Sequence, residues 1–365
     1  MDQGNRQLIH GNRFVRCMAA VREFLIICGG YLTGSTSDCN DLLSYNTING
    51  RWKLHELPLQ IKDAFKYCKI CVGGNKVYIC GTKYKTGDTP FVGPDFLVSL
   101  DVTKPDCEIL YLRTEDEDEN SSPRVLIILF FYHNESLYIM GYGEGGDSLD
   151  MIYKFCIRTS TWSFVQTTCE TPININHPYC HVYKDQYYFL KYSVYIFDAT
   201  SFAQKKFREL KVFDISQNVW TTKETRSRNQ QYPCGRCNES YAFSSNCVYM
   251  SGGGGVRAYT CYSDIWRLDL ESMEWFKLDY TLQTGIECHS MTIVDDEYLY
   301  SVGGKDVNLC HLHTMERFTL KPPSLYRLCL ETVCRSPNMT SYVKSLPASI
   351  TDELNLNEND YNVDT

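Results

Sequence analysis

No apolar run in this 365-residue chain approaches the roughly 18 residues that a membrane-crossing helix requires, and the opening segment Met1-Asp-Gln-Gly-Asn-Arg-Gln7 is polar. Neither a transmembrane helix nor a secretory leader is expected, which points to the cytoplasm or nucleus. Positive charge is the scarcer sign: 36 Lys and Arg stand against 44 Asp and Glu, a net charge of −8. That balance argues against a general binder of nucleic acid or anionic membrane. Histidine is scarce too. The eight present are scattered, so no convergent ligand set marks a metal-dependent enzyme, and no cofactor is expected. What the chain does have is 43% hydrophobic and 22% charged residues, the balance of a soluble globular protein, and 18 cysteines. Without a leader those cysteines should stay reduced. Those inside apparent strands (Cys28, Cys71, Cys80, Cys156, Cys247) read as small buried hydrophobes.

The chain repeats. Four of the five tryptophans follow an apolar residue by seven positions: Tyr45–Trp52, Phe155–Trp162, Phe213–Trp220 and Leu268–Trp275, with Leu100–Cys107 in the same register. The series 52, 107, 162, 220, 275 steps by 55, 55, 58 and 55 residues. Upstream in most copies lies an apolar strand ending in glycine, as in Phe24-Leu-Ile-Ile-Cys-Gly-Gly30, Val248-Tyr-Met-Ser-Gly-Gly253 and Leu299-Tyr-Ser-Val-Gly-Gly304. Tyr187-Tyr-Phe-Leu190 holds that place without glycines. An apolar strand, a glycine turn, an acid-led strand and a Trp strand make a four-stranded kelch blade, and a period near 50 reads as a β-propeller. Six such positions predict an all-β, six-bladed kelch β-propeller over residues 1–320. An open stack would leave two apolar ends, so the ring should close. The sixth copy reaches Pro322-Pro323 before any Trp strand, and its missing outer strand is expected from the N-terminus, around Arg6 to His10.

Beyond the ring, Ser324 is a good N-cap, and Leu325, Cys329 and Val333 fall at i, i+4 and i+8, one narrow apolar stripe on a helix of about three turns. Such a helix is too short to stand alone in water, so the stripe needs a partner surface, on this chain or another. Leu346-Pro-Ala-Ser-Ile350 follows, and the acidic segment 351–365 is expected to be a disordered tail. The acid run Glu115-Asp-Glu-Asp-Glu119 reads as a solvated loop.

The box Ser324-Leu-Tyr-Arg-Leu-Cys-Leu-Glu-Thr-Val333, together with Tyr262-Ser-Asp-Ile-Trp-Arg-Leu-Asp-Leu270, Met273-Glu-Trp-Phe-Lys-Leu278 and Cys288-His-Ser290, resembles the kelch-repeat substrate receptors of cullin-2 RING ubiquitin ligases. The resemblance implies a non-catalytic adaptor. In that reading Ser324, Leu325, Leu328, Cys329 and Val333 bind elongin B and elongin C. Leu346, Pro347 and Ile350, in residues 321–350, select cullin-2 with its RING-box protein. It further implies that the extreme C-termini of target proteins are bound. The alternative is a kelch interaction scaffold whose helix merely caps the ring.

In a propeller, loops leading into the innermost strands and loops after the glycine turns converge on one mouth of the central channel. The strand-start positions here are basic: Arg13, Lys62, Arg124 and Arg236. In the resembling family an Arg just after the turn grips the terminal carboxylate, and Arg257, after Gly252-Gly-Gly-Gly255, matches it. The family's second Arg would fall near Cys261, where it is absent, and its hydroxyl falls on Glu287; Arg236 is the expected substitute. A guanidinium fork suits a carboxylate, and Tyr192, Tyr195 and Tyr259 could wall a small terminal residue. Two motifs are set aside. Gly141-Tyr-Gly-Glu-Gly-Gly146 precedes a strand rather than a helix, and Cys68-x-x-Cys71 and Cys234-x-x-Cys237 belong to distant blades.

Overall fold

The computed structural model describes residues 7–8, 13–32, 41–62, 67–82, 93–104, 107–114, 121–143, 151–166, 180–190, 207–255, 260–336 and 345–353. Each sequence repeat is one antiparallel sheet. Blade 1 runs from Arg13–Val21 at the centre through Phe24–Leu32 and Leu42–Asn46 to Trp52–His55 at the rim. The innermost strands of blades 2 to 6 are Tyr67–Gly73, Val125–His133, Cys180–Tyr183, Ser240–Phe243 and Ser290–Val294. The seven-residue spacing is the pairing of third and fourth strands. Tyr45 faces Trp52, Leu100 faces Cys107, Phe155 faces Trp162, Phe213 faces Trp220 and Leu268 faces Trp275. Where two rings meet they touch at 4.8–5.1 Å between centroids, the separation of favourable aromatic pairs.

The second strands are apolar without interruption because both faces are buried, one against each neighbouring blade. In blade 1, Phe24, Ile26 and Cys28 pack toward blade 2, while Leu25 and Ile27 pack toward blade 6. The same division recurs around the ring, giving one apolar cluster per junction between blades. Blade 4 keeps its place without glycines: Gln186–Phe189 pairs on both sides. At blade 5 the glycine is required. Gly252 has φ +63°, and a Cβ there would come within 2.5 Å of the His289 ring and the Ile286 carbonyl.

Closure follows the expected route. Gln7–Leu8 pairs antiparallel with Thr314–Thr319, Gln7 opposite Met315, and supplies the outer strand of blade 6. Blade 5 carries a fifth strand that the repeat did not foretell, Arg226–Ser227, parallel to Glu274–Trp275. Of the strand cysteines, Cys28, Cys80 and Cys247 are buried, but Cys71 and Cys156 are only half-buried. After the ring come two helices, α1 (Leu325–Arg335) and α2 (Ala348–Glu353). α2 takes in Thr351, Asp352 and Glu353. The acid run 115–119 and residues 354–365 lie outside the described residues. Among the described residues no helix is long and apolar enough to cross a membrane.

Candidate functional site

The six innermost strands enclose a channel of 830 Å³, to which Met18, Ile70, Phe130, Val182, Ala242 and Met291 each bring one blade's apolar contribution. Burial pushes the His181 pKa down to about 4, so this wall residue, stacked on Phe243, stays neutral at physiological pH. His289 is held by the Ser251 hydroxyl at 2.9 Å. The wall is thus apolar for the greater part, with Lys69 and Glu239 among its charged residues.

At the mouth the expected basic residues separate. Arg124 is exposed where blade 3 begins, and Lys62 is exposed ahead of blade 2. Arg13 begins the innermost strand of blade 1, its backbone opposite Leu32. Arg236 corrects the expectation. Its guanidinium is buried, 2% exposed, and its fork closes on Asp264, with Nη1 to Oδ1 at 2.5 Å and Nη2 to Oδ2 at 3.1 Å. Nη1 also donates to the Gly252 carbonyl and Nε to the Cys234 carbonyl, and the Tyr262 ring lies 4.0 Å from the guanidinium carbon. Burial alone would raise the Asp264 carboxyl. The hydrogen bonds and charge of Arg236, with the Trp266 indole N–H, outweigh it and hold the pKa below the usual range. Arg236 therefore pins the approach to blade 5 and is not the substitute carboxylate ligand. Arg257, Tyr259, Tyr192 and Tyr195 lie outside the described residues.

Glu287, in the place of the family's hydroxyl, accepts from the Asn238 side chain at 3.2 Å, so this edge of the mouth carries negative charge. Over it sits a hairpin in which Lys305 pairs with Glu287 and His311. The hairpin exposes Val307 and Leu309, the latter at φ +60°. The repeat pattern pointed to neither residue, because they sit in a loop with no periodicity.

The opposite end of the ring carries α1. Ser324 accepts from the Arg327 N–H at 3.2 Å as N-cap, and its own N–H donates to Glu297. The inner face is fixed by Arg327, which donates to Glu331 and Asp295 at 3.0 Å and to the Thr47 hydroxyl at 2.8 Å. Thr47 lies in the turn between the third and fourth strands of blade 1, and Asp295 in the turn between the first two strands of blade 6. One arginine thus ties the helix to both blades at the closing seam. Leu330 packs on Ile48, with Cys334 and Ile350 against them.

The outer face shows Leu325 at 81% exposure, Tyr326 at 52% and Leu328 at 43%, with Cys329 exposed. Val333 is half-buried, so the predicted stripe is open over its first two turns and partly covered in the third. Pro347 is exposed and Leu346 half-buried, while Ile350 faces α1. Sequence reading missed Arg327 and Glu331 as anchors, although their i, i+4 spacing on the face away from the stripe is visible.

Residues 109–304, more than half of the chain, match the KLHDC2/KLHL20/DRC7 kelch-repeats domain. Kelch domain-containing protein 10 of Homo sapiens is 22% identical over 281 residues, covering 73% of this chain and 55% of that protein. The Rattus norvegicus protein is 23% identical over 236 residues, 60% of this chain and 54% of its own length. The Drosophila melanogaster homolog is 21% identical over 219 residues, 55% and 36% respectively. The chain spans about half the length of the mammalian relatives it matches.

Proposed function

This chain belongs to the KLHDC2/KLHL20/DRC7 kelch-repeat family, and on that premise we propose that it is the substrate-recognition subunit of a cullin-2 RING ubiquitin ligase. The chain carries a kelch-repeat protein-interaction domain. In the fuller reading, elongin C takes the outer face of α1 in complex with elongin B. Cullin-2 and its RING-box protein follow through Leu346 and Pro347, and target proteins present their C-terminal ends at the channel mouth. Arg124, Arg13 and Arg257 remain the candidates for meeting the carboxylate.

The observation that carries this reading is the exposed face of α1. The helix is capped and anchored on one side, yet it holds Leu325, Tyr326, Leu328 and Cys329 in water on the other. Exposed apolar clusters on an ordered element mark association surfaces. The scaffold reading draws on the inner face, where Arg327 caps the seam. Because the two roles use different faces, substitution separates them. Leu325→Ala combined with Cys329→Phe should abolish co-purification with elongin B and C. It should also leave the melting temperature within a few degrees, since both side chains are exposed. A double variant that unfolds the ring would instead make α1 a structural cap alone.

A further inference from the structure

Three cysteines meet at the junction of blades 1 and 2, and the proposed function uses none of them. Cys17 and Cys28 stand directly opposite each other on adjacent strands of blade 1. Cys68 reaches them from the innermost strand of blade 2: its Sγ lies 2.6 Å from that of Cys28. The Cys17 thiol donates to the Cys68 carbonyl at 3.0 Å.

Access divides them. Cys28 is 0% and Cys68 3% exposed, sealed in the cluster that joins the two blades. Cys17 is half-buried and lines the central channel. Burial raises the Cys28 pKa. At Cys68 the Cys17 hydrogen bond lowers the pKa, but contact with Cys28 and burial outweigh it and raise it. Burial disfavours direct reaction of the inner thiols with a peroxide in the channel; in the later exchange each gives up its proton as it attacks, to the departing hydroxide or to the Cys17 sulfur. A small oxidant in the channel therefore meets Cys17 first.

We propose that Cys17, Cys28 and Cys68 form an oxidation site that takes up a hydroperoxide through the channel and stores the oxidation as a Cys28–Cys68 disulfide between blades 1 and 2. Cys17 loses its thiol proton and the thiolate attacks the peroxide O–O bond, giving Cys17 sulfenic acid and, from hydrogen peroxide, hydroxide, which takes up that proton and leaves as water. The Cys68 thiol then displaces water from the sulfenic sulfur, forming a Cys17–Cys68 disulfide. Cys28 attacks the Cys68 sulfur and expels Cys17 as thiol. The net reaction consumes one hydrogen peroxide and two thiols and yields one disulfide and two waters. Cys17 ends unchanged. Blades 1 and 2 become covalently joined.

The test uses the full chain and hydrogen peroxide. After a timed exposure the protein is denatured, alkylated with N-ethylmaleimide, digested without reductant and mapped by mass spectrometry. The expected product is a linked Cys28–Cys68 peptide lighter by two hydrogens than its two thiol components, with Cys17 alkylated. Dimedone should label Cys17 at early times. Cys17→Ser keeps a hydroxyl to donate to the Cys68 carbonyl and should slow bridge formation at least about tenfold. Full alkylation of Cys28 and Cys68 after exposure, or a bridge that ends on Cys17, would overturn the proposal. So would a bridge that forms without dimedone labelling of Cys17. The dimedone measurement needs no variant and stands even if Cys17→Ser folds poorly.

Discussion

Where the chain approaches the innermost strand of blade 5, Arg236 closes its fork on Asp264, and the consequence is stability. Removing one partner of a buried pair leaves the other charge uncompensated, at a cost of about 3–5 kcal/mol. Arg236→Ala should lower the unfolding free energy by about that amount in urea titrations. The pH dependence has a definite sign. The folded Asp264 pKa lies below the unfolded value, so its stabilisation is complete above the ordinary carboxylate range and is lost as pH falls through the lower, folded value. Stability measured from pH 7 down to pH 3 should therefore fall less steeply in Arg236→Ala than in the parent. The arginine was visible in the sequence as a basic group at a strand start, but its partner was not. Asp264 lies 28 residues away across a glycine turn, and no local spacing connects the two.

At the scale of elements, local regularity was legible and tertiary anchoring was not. The seven-residue step from Tyr45 to Trp52 is a hairpin register, and a hairpin is built from neighbours in sequence. The outward stripe of α1 came from helical periodicity in the same way. Which side faced the ring did not, because Arg327 finds Thr47 at a separation of 280 residues. α2 extends the argument. Ile350 is tied to Leu330 and Ile48, while Pro347 faces solvent ahead of the helix. Replacing Leu346 and Pro347 with Ala should reduce recovery of cullin-2 in pull-downs and leave elongin B and C bound. Undiminished cullin-2, or a switch to cullin-5, would count against the cullin assignment.

For the whole molecule, the proposed site opposes the net charge. The chain carries −8, while Arg124 is exposed where the innermost strand of blade 3 begins and Lys62 is exposed in the segment ahead of blade 2. A focused site of that sign favours a small anion over a broad acidic surface. Peptides with a free terminal carboxylate should bind, and amidated versions should lose about 2 kcal/mol in calorimetry. Equal affinities would remove the C-terminal reading while leaving the elongin contact untouched.

The seam beneath α1 also dictates an order of assembly. Gln7 can pair with Met315 only after a further 308 residues have been synthesised, and such distant contacts form late. The seat of α1 combines Thr47 from one end of that span with Asp295 from the other. A chain still emerging from the ribosome, or one whose ring has sprung open, has nowhere to dock the helix. The surface proposed for elongin would then be presented only by a finished propeller, so an unfinished receptor would be left out of the ligase.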